Sequence, residues 1–174
     1  MPIHACPHTF SALAAKVLPA YMGEMRNALK TPIPMAAFCR PGFGVRKLLD
    51  ELNRSGDFSG CYVLVDNAKP IYVGISRSVV SRLRQHVYGK THFDASLAYK
   101  IAASLHSDKA TVALSRSTAM KDPKFGISFA KAQKYLQSLK VAFVSIENPL
   151  ELYVYEPYCA MELDTHQWNV FATH

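Results

Sequence analysis

The stretch Gly60-Cys61-Tyr62-Val63-Leu64-Val65-Asp66-Asn67-Ala68-Lys69-Pro70-Ile71-Tyr72-Val73-Gly74-Ile75 decides the fold class. Two runs rich in β-branched and aromatic residues flank the turn chemistry of Asp66-Asn67-Ala68-Lys69, and Pro70 is tolerable at a strand's first position. The stretch reads as a β-hairpin. Side chains alternate across a strand, so Cys61, Val63 and Val65 share one face, and Ile71, Val73 and Ile75 share another. Pairing Asp66 with Pro70 brings both sets into one core, whereas a one-residue slip would reverse one strand. Tyr62 and Tyr72 then stand together on the opposite face. Gly74 lies on that side and leaves room for a close approach to the backbone.

Residues 78–88 follow as a helix with an apolar stripe of Val80, Leu83 and Val87. Arg82 and His86, four apart, lie together off that stripe. Residues 94–106 and 126–139 read as further helices. Between them lies a polar loop with a short strand at residues 111–114. Residues 140–146 give a third strand, and residues 149–163 a last helix disturbed by Pro157. Upstream, residues 10–30 carry a helical stripe of Leu13, Val17, Tyr21, Met25 and Leu29, with Pro19 able to kink it. Thr31-Pro32-Ile33-Pro34 stops it, and residues 45–53 form a short helix. The expected fold is α+β: a small three-stranded antiparallel sheet flanked by helices over residues 58–174, with a helical N-terminal extension over residues 1–57.

The chain has 174 residues, 49% of them hydrophobic and 19% charged, enough for a sizeable core in one domain. Its apolar runs are too short for a membrane span, and its start lacks the pattern of a secretory signal, so a cytoplasmic location without membrane attachment is expected. The four cysteines include no CxxC pair, which argues against a disulfide framework or a structural zinc site. His4-x-Cys6-x-His8 supplies three ligands at most and reads as an ordinary arm. The net charge is +7. Residues 59–148 carry thirteen Lys and Arg against five Asp and Glu, and residues 149–174 carry four acids and no base. A basic body beside carboxylates suits a polyanion-binding surface. Two phenols, a guanidinium and an imidazole beside a short sheet could handle phosphate, since arginine binds phosphate oxygens bidentately and imidazole and phenol exchange protons.

Gly60-Cys61-Tyr62 and, ten residues on, Tyr72-Val73-Gly74 resemble the signature of the GIY-YIG nuclease superfamily. Cys61 and Val73 stand where isoleucine is usual, both at core positions. The resemblance extends to an Arg ten residues after the second Tyr, met by Arg82, and a His one turn later, met by His86. A metal-binding Glu on a later helix is met by Glu156, and an Asn thirteen residues further by Asn169. It covers about residues 58–174. It implies hydrolysis of a phosphodiester in nucleic acid, with DNA as the expected partner, and Mg²⁺ or Mn²⁺ as cofactor. Glu156 would hold the metal and Arg82 would stabilise charge on the phosphoryl oxygens. Tyr62 would help activate water, Tyr72 would orient water or phosphate, and His86 would accept or relay a proton. Asn169 would brace the site by hydrogen bonding. Glu151 and Glu162 read as solvated helix carboxylates. Gly74, Lys90, Lys100 and Arg116 would meet the nucleic-acid backbone. One small site cuts one strand at a time, so double-strand cleavage would call for a dimer or sequential nicks. The alternative is a non-catalytic nucleic-acid-binding module on the same fold.

Overall fold

The computed structural model describes residues 3–171. It is α+β, with a four-stranded sheet in the order β1-β4-β2-β3: β1 is Ile33–Pro34, β2 Gly60–Asp66, β3 Lys69–Ser76 and β4 Lys140–Ser145. The expected three strands are therefore corrected to four. Pro32 and Pro34 do end the preceding helix. They also force an extended backbone, and at a sheet edge a missing N–H costs no ladder bond.

Strand β2 pairs antiparallel with both β3 and β4. Tyr62 faces Gly74, Val63 faces Val73 and Leu64 faces Tyr72. Beyond Leu64 the register shifts: Val65 pairs with Pro70 and Asp66 with Lys69, not Asp66 with Pro70 as the alternation suggested. The irregularity lies at the turn end and leaves the face assignment of both tyrosines unchanged.

The chain divides into two compact units. The first comprises residues 1–33, 53–79 and 140–174; the second comprises residues 34–52 and 80–139. In the first, Cys61, Val63, Val65 and Val73 form one core with Met22 and Met25 of α2 (Leu18–Ala28) and with Leu152, Tyr155, Cys159 and Ala160 of α9 (Pro149–Glu162). Residues 10–28 are helical throughout, but α1 (Phe10–Ala12) and α2 are joined by a π-helical segment, Leu13–Val17. The Leu18 amide reaches back to Leu13 O. Pro19 has no N–H to continue the α pattern, and the wider turn lies just ahead of it.

Asn148 caps α9, its side chain accepting from the Leu150 and Glu151 amides. Pro157 lies inside this helix and does not interrupt it. The carbonyl that loses its bond is that of Tyr153, a residue on the solvent side at 69% exposure, where water can replace the partner.

The second unit holds α3 (Val45–Glu51), most of α4 (Val79–Tyr88), α5 (Ser96–Leu105), α6 (Lys109–Ala113), α7 (Arg116–Ala119) and α8 (Pro123–Ser138). Helix α5 packs on α8, and the Phe125 ring meets Tyr99 at 5.1 Å and His106 at 5.3 Å. Residues 111–114, expected as a strand, belong to the turn of α6. Asp108 caps that turn, accepting from the Ala110 and Thr111 amides. The charge divides with the units. The second has thirteen Lys and Arg against five Asp and Glu, +8, while the first is −1. No helix among the described residues is long and apolar enough to cross a membrane.

Candidate functional site

In the first unit, the alternation of β2 and β3 puts Tyr62 and Tyr72 on one face, their ring centroids 6.3 Å apart. Tyr62 is only 1% exposed, whereas Tyr72 is half-buried. The space that Gly74 leaves is taken by Tyr62 itself. A Cβ built on Gly74 would lie 2.5 Å from Cζ and Oη of the Tyr62 ring. Gly74 is thus the seat of a phenol, which gives it a packing role before any role toward nucleic acid. Both faces of the sheet are buried here, since Leu64 beside Tyr62 is also fully covered.

Asn169 reaches the outer edge of the sheet from the chain's other end. Its Oδ1 accepts from the Val73 amide and its Nδ2 donates to the Val73 carbonyl, each at 2.8 Å. The side-chain amide completes the ladder of the edge strand β3 at the residue between Tyr72 and Gly74. Asn169→Ala removes both bonds and should cost about 1–3 kcal/mol. Asn169→Asp keeps an acceptor for the Val73 amide and loses the donor. Hydrogen exchange at the Val73 amide should therefore accelerate strongly in the alanine variant and less in the aspartate variant.

Glu156 is half-buried on α9, beside the seam of Leu152, Tyr155 and Cys159 that packs on the Cys61 face. Burial first, then the neighbouring Cys159 and the Glu156 charge, push the Cys61 thiol up. Glu156 and the two phenols thus belong to opposite faces of the sheet. Among the described residues no three His, Cys, Asp or Glu side chains come together as a metal-ligand group. A single carboxylate suits a hard divalent cation that keeps most of its waters, such as Mg²⁺, and does not suit zinc.

Of the other acids, Glu162 is partly exposed and pairs with Arg26 at 2.8 Å. Glu151 departs from the expected solvated carboxylate. It is 4% exposed, accepts from the Tyr21 hydroxyl at 2.8 Å, and has His8 Nε2 at 3.7 Å. Burial and then this bond push the Tyr21 phenol up to about 12. Glu151 sits in the first turn of α9, where the helix dipole favours a carboxylate, so its role is to dock α2 against α9.

In the second unit, Arg82 is held by its own surroundings. Its Nη1 donates to Asp94 O at 2.7 Å and to Gln85 Oε1 at 3.1 Å, and its Nη2 donates to Ser96 Oγ at 3.0 Å. A guanidinium has five N–H donors, so Arg82 would meet a phosphate with at most two. His86, one turn along α4, is fully buried. Burial, and then the Arg82 charge, lower its pKa from the ordinary 6.5 to about 3. It is therefore neutral at pH 7 and a poor proton acceptor, which weighs against the relay role expected from sequence. The unfolded chain takes up this proton near pH 6.5 and the folded chain only near pH 3. Acid in that window favours unfolding, and above about pH 6.5 the group contributes nothing further. Stability to urea should fall by up to about 1.4 kcal/mol per pH unit below pH 6. His86→Leu should flatten that slope.

Lys90, Lys100 and Arg116 are all exposed. The Arg116 guanidinium lies 5.5 Å from the Tyr99 ring, next in sequence to Lys100. Lys90 lines a cleft with Arg84 and Tyr88. Neither of these last two stands out in the sequence, although Ser81, Arg84, Gln85 and Tyr88 recur at the spacing of one helix face.

Comparison of the chain with family models, curated proteins and solved structures gives no match.

Proposed function

We propose that this chain is a metal-dependent endonuclease of the GIY-YIG kind, hydrolysing phosphodiester bonds in nucleic acid, with DNA as its substrate. What supports the reading most is Asn169. The residue assigned to bracing the site is 96 positions from Val73 and binds both backbone groups of that residue, between Tyr72 and Gly74.

Tyr72 is the phenol with access to solvent, so it is the group that orients and helps deprotonate the attacking water. A free phenol is ionised only about one part in a thousand at pH 7, so it needs a nearby positive charge. Tyr62, buried under Gly74, fixes the strand that carries Tyr72 and does not meet bulk water. Glu156 would hold Mg²⁺ or Mn²⁺, which when bound supplies charge stabilisation at the phosphate. The two faces of the sheet meet at the outer edge of β3. A phosphate served by both Tyr72 and Glu156 lies at that edge. In the second unit, Arg82 is the guanidinium whose chemistry suits charge on a phosphate, and His86, neutral and buried, supports α4.

Tyr72→Phe removes one oxygen and leaves the ring. Nicking of supercoiled plasmid should slow at least about a hundredfold, in the range found for removal of a single proton-transfer group. A folded Tyr72→Phe protein that nicks at the parent rate would overturn the assignment.

A second reading, a nucleic-acid-binding module without catalysis, is favoured by the burial of Tyr62 and His86 and by the protein contacts of Arg82. It predicts salt-sensitive binding with no cleavage under any metal.

A further inference from the structure

The second unit carries the whole net positive charge of the chain and also an open cleft of about 440 Å³ beside the C-terminal half of α4. This size suits a ligand of one or two nucleotides. Along α4 it is lined by Ser81 and Arg84, both half-buried, and by Gln85 and Tyr88, both exposed, with Lys90 just beyond the helix. Tyr88 is 47% exposed, yet its side chain is anchored at both hydroxyl and ring. Its hydroxyl donates to Cys39 O at 2.9 Å, and the Arg84 guanidinium lies 5.3 Å from its ring. Arg84 is in turn fixed by donating to Phe43 O. Phe43 has the Arg40 guanidinium at 3.9 Å and Lys47 Nζ at 5.2 Å from its ring. The acid at the rim, Asp94, is engaged by the Thr91 hydroxyl at 2.7 Å.

A preoriented aromatic face bordered by cations is the combination that holds an unstacked base and its flanking phosphates. A duplex has no unstacked base to offer it. We propose that this cleft is a second binding site, outside the Tyr72–Asn169 edge, for a single-stranded stretch of nucleic acid. One base stacks on Tyr88, and the phosphates on either side meet Arg84 and Lys90. The inference rests on the nucleic-acid part of the reading above but not on cleavage.

The test is fluorescence anisotropy of the full chain with a labelled oligothymidylate and with a duplex of equal length, in EDTA so that no cutting interferes. Tyr88→Ala should weaken oligothymidylate binding about tenfold, while duplex binding stays within about twofold. Tyr88→Phe, which keeps the ring, should bind like the parent. Lys90→Ala, a change at an exposed side chain, should lower the slope of log affinity against log salt by about 0.7. Equal oligothymidylate affinity in the parent and a folded Tyr88→Ala, or equal losses on both substrates, would overturn the proposal. A protein that binds as described but cuts nothing in Mg²⁺ or Mn²⁺ would sink the nuclease reading and leave the cleft standing. One that cuts plasmid while Tyr88→Ala binds normally would sink the cleft alone.

Discussion

Glu156→Ala is expected to reduce plasmid nicking about a thousandfold while leaving the fold intact. Glu156 is half-buried at the border of the α9 seam, outside the apolar core that Leu152, Tyr155 and Cys159 join. On the proposed role, losing the carboxylate that would hold the metal removes several kcal/mol of transition-state stabilisation, and about 4 kcal/mol is a factor of a thousand. The neighbouring carboxylates make the test specific. Glu162→Ala breaks only an exposed pair with Arg26 and should change neither stability nor cutting by much. Glu151→Ala deprives the Tyr21 hydroxyl of its acceptor and should lower stability by about 1–3 kcal/mol, with the surviving folded protein still cutting. Unfolding curves and nicking rates for the three variants should separate cleanly along these lines.

Gly60→Ala is expected to have the largest effect on stability. Gly60 opens the central strand, facing Ser76 on one side and Ser145 on the other. A Cβ there would overlap the Val144 carbonyl oxygen and crowd the Ser145 Cα, both backbone atoms that only a shift of β4 could relieve. We expect a loss of about 3 kcal/mol, or roughly a 10 °C drop in Tm for a chain of this size. Gly74→Ala meets the end of a side chain, the Tyr62 ring, and should cost less, while disturbing the phenol pair directly. Gly126→Ala is the control: it lies in α8 with open space around it and should stabilise by about 0.5–1 kcal/mol. Thermal unfolding of the three proteins gives the ranking.

The hairpin was legible because period-two alternation has one physical reading once Cys61, Val63 and Val73 are taken as core. The shift at Val65 was not, because a bulge depends on how the turn closes and not on residue type. The strand at Ile33–Pro34 hid behind its prolines, which signal helix termination and edge-strand geometry with the same residues. Asp108 carried a capping signal for α6 that the β-branched residues after it obscured.

At the site, sequence spacing placed both tyrosines on one face, and the resemblance pointed to Asn169 as a brace. Burial was beyond reach. Nothing local distinguishes a sheet with one solvated face from a sheet covered on both, so the concealment of Tyr62 and the neutrality of His86 came only with the fold. The Tyr21–Glu151 contact joins residues 130 positions apart and leaves no trace in periodicity. The stripe of Arg84 and Tyr88 was present in the helical spacing, but it reads as an ordinary solvated face until Val45, at the start of α3, is seen to line the same cleft.

The most direct measurement is the rate at which the purified chain converts supercoiled plasmid to nicked circles in Mg²⁺ or Mn²⁺, with EDTA and Glu156→Ala alongside. The account predicts nicking that follows the metal, stops in EDTA and is lost in the variant. Nicking that persists in EDTA or in Glu156→Ala, or a folded protein that binds DNA and cuts it under neither metal, would contradict it.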